Sequence, residues 1–426
     1  MRGIKARSAT AGYTLFLLFL ANLFNAGDRA LLGIVVDPIK ADLSLSDMQM
    51  SIVAGIAFVL FNLVVGVFIA NWADRGNRKL ILTLGVALWS GATALTGLAQ
   101  GFGSLAIARI LVGVGEATVF PVAYSMIADL FIPSQRPRSI AVFQSSLFIG
   151  LVLGSILAGV LAAAHGWRMM FIICGLAGIV LVALLMVTMR EPARGGADGI
   201  ADKSVPAEKM LSTIGHLLRL PGFLCLSLGT AFASMAGGVL PVWAPAFLLR
   251  SHDVALASVG ALIGPTVGVG GIAGTLGAGI LATRLARGRG SEVPGMLVPL
   301  VALPFATPCL ALFLFTPSLA VTMGFALVMN FLLSMALGPC IAVAIGMAPQ
   351  RMRAMSSTLM LLATGLIGSA LAPALVGAVS DALQPTFGVD SLRYGMAAIV
   401  PAPLIATLFL WRAYVVASRH APSASR

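Results

Sequence analysis

Charge is scarce in this sequence of 426 residues: only 10% are Asp, Glu, Lys or Arg, against 59% hydrophobic residues. A soluble domain is about a quarter charged and just under half apolar, so the scarcity excludes an ordinary soluble enzyme or binding module. Cysteine is scarce too. The four present, Cys174, Cys225, Cys309 and Cys340, all fall in apolar stretches without metal-ligand spacing. That excludes a disulfide framework or zinc site and leaves thiols acting as small hydrophobes. The four histidines, His165, His216, His252 and His420, lie in loops or near the ends of apolar runs. No nucleophile–base–orienter spacing, phosphate-binding loop or metal cluster accompanies them, so neither catalysis nor a cofactor is expected. No polar segment is long enough for a separate soluble domain.

What fills the chain instead is a series of apolar runs, each near the ~20 residues that cross a bilayer as a helix. Hydropathy predicts twelve, near 13–35, 48–71, 80–98, 102–127, 138–164, 168–189, 221–249, 255–282, 293–315, 317–347, 355–380 and 391–415. The fold class is therefore an all-α polytopic membrane protein. Arg2, Lys5 and Arg7 before the first run imitate a signal peptide, but no small-residue cleavage pattern follows and the run is expected to stay.

The net charge of +12 raises the question of nucleic acid, and its distribution answers it. With residues 1–11 in the cytoplasm, all but six of the 27 lysines and arginines fall on the cytoplasmic side. Lys40, Arg168, Arg250 and Arg393 lie on the other side, and Arg29 and Arg109 lie within spans. This is the positive-inside bias, with both termini cytoplasmic in a bacterial inner membrane. Lys40, Asp42 and Asp47 read as solvated loop charges.

The longest hydrophilic stretch, 190–220, holds Gly195, Gly196, Pro206 and charges of both signs, and reads as a cytoplasmic linker. It divides the chain into bundles at 1–189 and 221–426, six helices each. The halves echo one another: GVFIANWADRGNRK (66–79) after the second span and GILATRLARGRG (279–290) after the eighth each lead from a glycine into an Arg-rich turn. Such internal repeats are common in transporters.

Four ionisable residues sit well inside spans: Asp28 and Arg29 in the first, Arg109 and Glu116 in the fourth. A charge at mid-membrane costs about 2.5–3.5 kcal/mol on insertion scales, so it faces a partner or a wet cavity. Seven residues place Arg109 and Glu116 on one face about 10 Å apart, too far to satisfy each other, with Gly113 leaving room between them. Each needs a partner elsewhere, and the first span holds the other buried charges. Burial disfavours the charged form of a carboxyl, which makes Asp28 and Glu116 candidates for exchanging a transported proton. Arg109, permanently charged, is the candidate anion acceptor; Arg29, a quarter turn from Asp28, is expected to pair only locally. The second half offers neutral groups at that depth, Ser234, Thr266, Asn330, Ser334 and Thr364, and Gly- and Pro-rich runs such as MAGGVLPVWAPAFLLR (235–250). Asn330 and Trp243 are its candidate substrate contacts. At the cytoplasmic turn, Asp74 and Arg78 are expected to form a surface network with Asp129 that latches that side shut.

With these residues in hand, the sequence resembles the major facilitator superfamily: the Gly66–Lys79 turn matches its loop motif, and the copy after the eighth span is the degenerate repeat. More narrowly it resembles the Spinster-like branch, through AGDRALL (26–32), RILVGVGEA (109–117), IADLF (127–131), GWRMMF (166–171), REPARG (190–195), WAPAFLLRSH (243–252), APALVGAVSDAL (372–383) and SLRYGM (391–396). The resemblance implies two pseudo-symmetric six-helix bundles working by alternating access as a monomer. It also implies proton coupling and head-group binding at Asp28, Arg109 and Glu116, and lysolipid-like cargo. Thr283 stands where relatives usually keep Asp, so only the first-half turn keeps its full charge set.

The expected function is proton-coupled movement of an anionic amphiphile or organic anion among membrane lipids, with no nucleic-acid partner. The alternatives are a proton symporter for small aromatic or sugar acids, a multidrug efflux pump, and a passive lipid flippase.

Overall fold

The computed structural model describes residues 2–132, 135–194, 210–287, 291–349 and 352–420. The central part of the predicted linker, 195–209, lies outside the described residues, as does the side chain of Asp74. Among the described residues, ten helical runs are long and apolar enough to cross a membrane. Eight are 19–31 residues long, while Arg138–Thr188 has 51 residues and Met355–Arg419 has 65. At 1.5 Å per residue, 51 residues would extend ~75 Å against a ~30 Å hydrocarbon core. Each long run therefore supplies two crossings, which makes twelve.

The reversal inside the first of these is local chemistry. Helix Arg136–Thr188 is broken at Gly166, whose φ of 79° an L side chain rarely adopts. Arg168 pins the turn: its Nη1 donates to the carbonyls of Gly97 (3.2 Å) and Ala99 (2.6 Å), and Nη2 reaches Asp42 Oδ2 at 2.8 Å. Asp42 is thus half-exposed but paired, which corrects its reading as a plain loop charge.

The exterior carries apolar side chains that a soluble protein would bury, among them Phe68 (71% exposed) and Val180 (70%). Such an inside-out surface suits lipid. With lipid outside, helices associate through close backbone approach at small residues. Helix α1 (Arg2–Ile34) meets the 136–188 helix that way: a Cβ on Gly154 would stand 2.5 Å from the Cα of Gly27.

The described residues form two compact units. One comprises Met1–Leu45, Ala57–Val205 and Ala255–Gly264; the other comprises Ser46–Ile56, Pro206–Val254 and Pro265–Arg426. The chain passes from the second unit back to the first between Ile56 and Ala57, at the end of a π-helical stretch, Ile52–Ile56.

Candidate functional site

Five helices carry the candidate site residues of the first unit: α1, α2 (Ala57–Arg75), α3 (Arg78–Thr96), α4 (Phe102–Glu116) and α5 (Val119–Leu130). The predicted fourth span is discontinuous, since α4 ends at Glu116 and α5 begins two residues after Ala117. Pro121 explains the break, because it has no N–H to return to the carbonyl of Ala117. Glu116 is thereby the last residue of a half-helix at membrane depth, a position that transporters use for ligand and ion sites.

The four charges pair across helices. Arg29 Nε donates to Glu116 Oε2 at 2.7 Å, and Arg109 Nη1 donates to Asp28 Oδ2 at 3.4 Å. Thr93 Oγ1 donates to Asp28 Oδ1 at 2.6 Å. The first pairing differs from the expectation that Arg29 serves only local needs. On packing, α1 carries Arg29 against the end of α4, and the guanidinium spans the gap that spacing along a single helix does not reveal. The net charge of the set is zero, as a low-dielectric interior demands.

Phe58 lies between the two cations. Its ring centroid is 5.3 Å from the Arg29 guanidinium carbon and 5.2 Å from that of Arg109, a cation–π shelf under both. Gly113 admits this arrangement, since a Cβ there would meet the Phe58 carbonyl oxygen at 2.6 Å. The space beside Gly113 belongs to α2, which Asn62 secures by donating from Nδ2 to the Gly113 carbonyl at 3.0 Å.

The two arginines differ in access, and that matters for function. The Arg109 side chain is 3% exposed and the Arg29 side chain 31%. Arg29 uses only Nε in its pair with Glu116, so its two terminal nitrogens have no protein partner among the described residues. Glu116 Oε1, Arg109 Nε and both amide atoms of Asn25 are buried without a partner. Asn25 lies one turn before Arg29 on α1 and was not foreseen, because a lone Asn in an apolar run carries no directional signal.

The expected latch is built differently from the sequence reading. Arg78 is fully buried, not part of a surface network. Its guanidinium bonds Asp129, Ser125 Oγ (3.0 Å), Glu191 Oε1 (2.8 Å) and the Pro192 carbonyl (2.8 Å), and Glu191 Oε2 also accepts from the Lys79 backbone N–H at 2.7 Å. Glu191 escaped notice because it opens a polar stretch that resembles linker. All these residues belong to the first unit, so the cluster ties the 76–77 turn to the segment after Thr188.

In the second unit, Trp243 is wholly buried in helix Phe223–His252 and its indole N–H points to the Pro373 carbonyl at 3.4 Å. Such a side chain is core, which corrects its place among substrate contacts. Asn330 donates to the carbonyl of Ala326 at 2.9 Å and lines a cavity of about 330 Å³ with Thr230, Ser234, Ser334, Thr364 and Ser369. Thr364 opens a second π-helical stretch, Thr364–Leu371, a form of helix that recurs at functional sites.

The largest departure concerns Asp47. It is 1% exposed, held by Arg250 through two 3.0 Å bonds and by Ser380 Oγ at 2.7 Å. Asp381 accepts from the backbone N–H groups of Asp47 (2.9 Å) and Met48 (2.8 Å), neutralising that helix start. A residue read as a solvated loop charge is the centre of a buried polar cluster in the second unit.

Comparison with known proteins agrees with this architecture. The model of the Major Facilitator Superfamily matches residues 18–373. An MFS-type efflux pump of Mycolicibacterium smegmatis is 31% identical over 403 residues, covering 93% of this chain and 91% of its own. Protein spinster homolog 1 of Homo sapiens is 29% identical, covering 86% of this chain and 72% of its own. A solved bacterial homologue of the human lysosomal transporter Spinster, in an inward-facing and unoccupied conformation, superposes with a TM-score of 0.87 at 28% identity, over 98% of this chain and 99% of that one. With a buried four-charge set inside a helical membrane fold and these relatives on either side, the chain belongs to the Major Facilitator Superfamily of transporters, in its Spinster-like branch.

Proposed function

We propose that this transporter moves an anionic amphiphile by alternating access, with proton exchange at Glu116. The observation that carries the proposal is the division of labour between the two arginines: Arg29 is accessible with its terminal nitrogens free, while its Nε is held by Glu116. An anionic head group entering at Arg29 competes with Glu116 for the same guanidinium. Once released, Glu116 is a buried carboxylate without a cation, a costly state that taking up a proton removes. Conversely, a protonated Glu116 holds Arg29 weakly and leaves it free for the anion. The sequence reading gave the anion to Arg109; its enclosure favours Arg29 for that contact and leaves Arg109 to hold Asp28, the second carboxyl proposed to exchange a proton.

The second unit supports the amphiphile part of the proposal. Its cavity offers hydroxyls and one amide without a charge, suited to a neutral polar or apolar portion of the cargo. Asn330 remains a proposed contact there. The Arg78 cluster with Asp129 is proposed to steady the first unit between conformations, and the Lys and Arg bias supports cytoplasmic termini and a bacterial inner membrane. We further propose a monomer of two bundles, 1–189 and 221–426.

Uptake of a lysophospholipid into proteoliposomes, with and without an imposed pH gradient, tests the proposal. Gradient-dependent uptake by wild type that becomes gradient-independent in Glu116→Gln is expected. Uptake with unchanged pH dependence in that variant removes Glu116 from the mechanism. A second reading, export of lipophilic compounds, draws support from the mycobacterial relative named an efflux pump. Growth protection against such compounds by expression of the wild-type gene, with no lysolipid transport, would favour it.

A further inference from the structure

We propose that the first unit holds a second ligand site, separate from the Arg29 anion site, that takes a primary amine with an apolar body. The site is a cavity of about 250 Å³ between α1, α3 and both arms of the Arg136–Thr188 helix. An apolar cavity of ~150 Å³ already holds benzene, so this one accommodates a ring and a short chain. Its walls are largely hydrocarbon, including Leu23, Phe24, Leu31, Leu153 and Leu157. Leu153 and Leu157 are 52% and 49% exposed, so the cavity reaches the outer surface of the unit on that side.

Three polar groups gather among these walls: Asp28, Ser90 and Thr93. Ser90 is 1% exposed and its Oγ has no hydrogen-bond partner. A helical serine ordinarily returns its hydroxyl to the carbonyl four residues back, and Ser90 does not, so an acceptor and donor stand idle in an apolar wall. Asp28, 7% exposed, receives one short bond from Thr93 and one long bond from Arg109, which leaves acceptor capacity on its carboxylate. Among the described residues, no Lys, Arg or His lines the cavity.

The chemistry of the lining selects the ligand. A primary ammonium carries three N–H donors, and the cavity offers three acceptor groups, the Asp28 carboxylate and the Ser90 and Thr93 hydroxyl oxygens. Trp89 also lines the cavity, and an indole ring is a good partner for a cation. An anion meets the Asp28 carboxylate there and is repelled. An alcohol satisfies Ser90 but gains nothing from the charge on Asp28. Because Asp28 also receives Arg109, an ammonium bound to it competes with that arginine. Occupancy of the side cavity is therefore linked to the four-charge set, and the linkage is reciprocal.

The test uses three probes with one body: 4-phenylbutylamine, 4-phenylbutanol and 4-phenylbutyrate, bound to the full-length protein in an uncharged detergent and read by saturation-transfer NMR. The amine is expected to bind at least tenfold more tightly than the alcohol, and the acid not at all. In Ser90→Ala, amine affinity is expected to fall several-fold. In Ala177→Phe, which plugs the cavity from an exposed position of its lining, both amine and alcohol binding are expected to be lost. Asp28→Asn, if it folds, should bring the amine down to the alcohol. Equal binding of amine and alcohol by wild type would mean that the cavity takes hydrocarbon alone and overturns the proposal. So would amine binding that survives Ala177→Phe, or the absence of amine binding altogether. Each of these outcomes is read in amine binding and none in lysolipid uptake, so failure of this proposal is distinguishable from failure of the proposed function.

Discussion

The two units solve the same problem, polar groups at membrane depth, with different chemistry. In the first unit the polar groups are ions: Asp28, Arg29, Arg109 and Glu116, paired across helices and stacked on Phe58. In the second they are the hydroxyls and the Asn330 amide that line the 330 Å³ cavity, and the buried charges, Asp47 with Arg250, sit at helix ends. Ions at depth are expensive and answer to protons and anions. Hydroxyls bond their own helix backbones, as Ser234 does to Ala231 and Thr230 to Leu226, both at 2.7 Å, and cost little to keep. The asymmetry is the reason coupling is proposed for the first unit, while the second supplies a neutral cavity lining and a structural clasp.

The comparison is broken most directly by exchanging the roles. Glu116→Gln is expected to abolish gradient-driven uptake, more than tenfold, whereas Asn330→Ala is expected to change it less than threefold. Proteoliposome uptake measures both, and equal losses would end the asymmetry. Next in size is the clasp. Asp47→Ala removes the buried carboxylate that Arg250 holds, and removing one partner of a largely buried pair costs about 3–5 kcal/mol. Thermal unfolding in detergent should show a large drop, while a change within error would reduce the clasp to a crystal-like formality of packing.

Arg78→Lys comes third. Lysine keeps the charge but not the fork that reaches Asp129, Glu191, Ser125 and Pro192 together. Faster proteolysis between residues 190 and 194 than in wild type is expected, and an unchanged rate would mean that the charge alone suffices. Smallest is Asp42→Asn. The Asp42–Arg168 pair is 46% and 40% exposed, and such pairs contribute about 0–1 kcal/mol. A barely shifted melting point is expected, and a large shift would promote this turn to the rank of the Asp47 clasp.

Particular residues mark where sequence reading suffices. The apolar runs are legible because lipid imposes a length and a polarity on each crossing, and the reversal near 166 is legible from Gly166 within its GWRMMF turn. The isolation of Asp28, Arg29, Arg109 and Glu116 is legible for the same reason, since charges stand out in a run of leucines. Their pairing is not. Whether Glu116 meets Arg29 or another cation depends on how α1 packs against the end of α4, and helical spacing fixes only directions within one helix. Asp47 illustrates the limit most clearly: its partners Arg250 and Ser380 lie 203 and 333 positions away, and nothing local distinguishes it from a solvated loop carboxylate. Trp243 shows the converse, since an aromatic in a Gly- and Pro-rich run suits a cavity wall and a core equally well until its neighbours are known.

The central claim is that an anion and a proton exchange places on the Arg29–Glu116 pair. It is tested most directly by calorimetric titration of a lysophospholipid into the detergent-solubilised protein at one pH, in buffers of differing ionisation enthalpy, which counts the protons taken up on binding. Uptake of close to one proton by wild type, falling to near zero in Glu116→Gln while binding persists, is the predicted result. Binding by wild type with no proton uptake in any buffer would contradict the account.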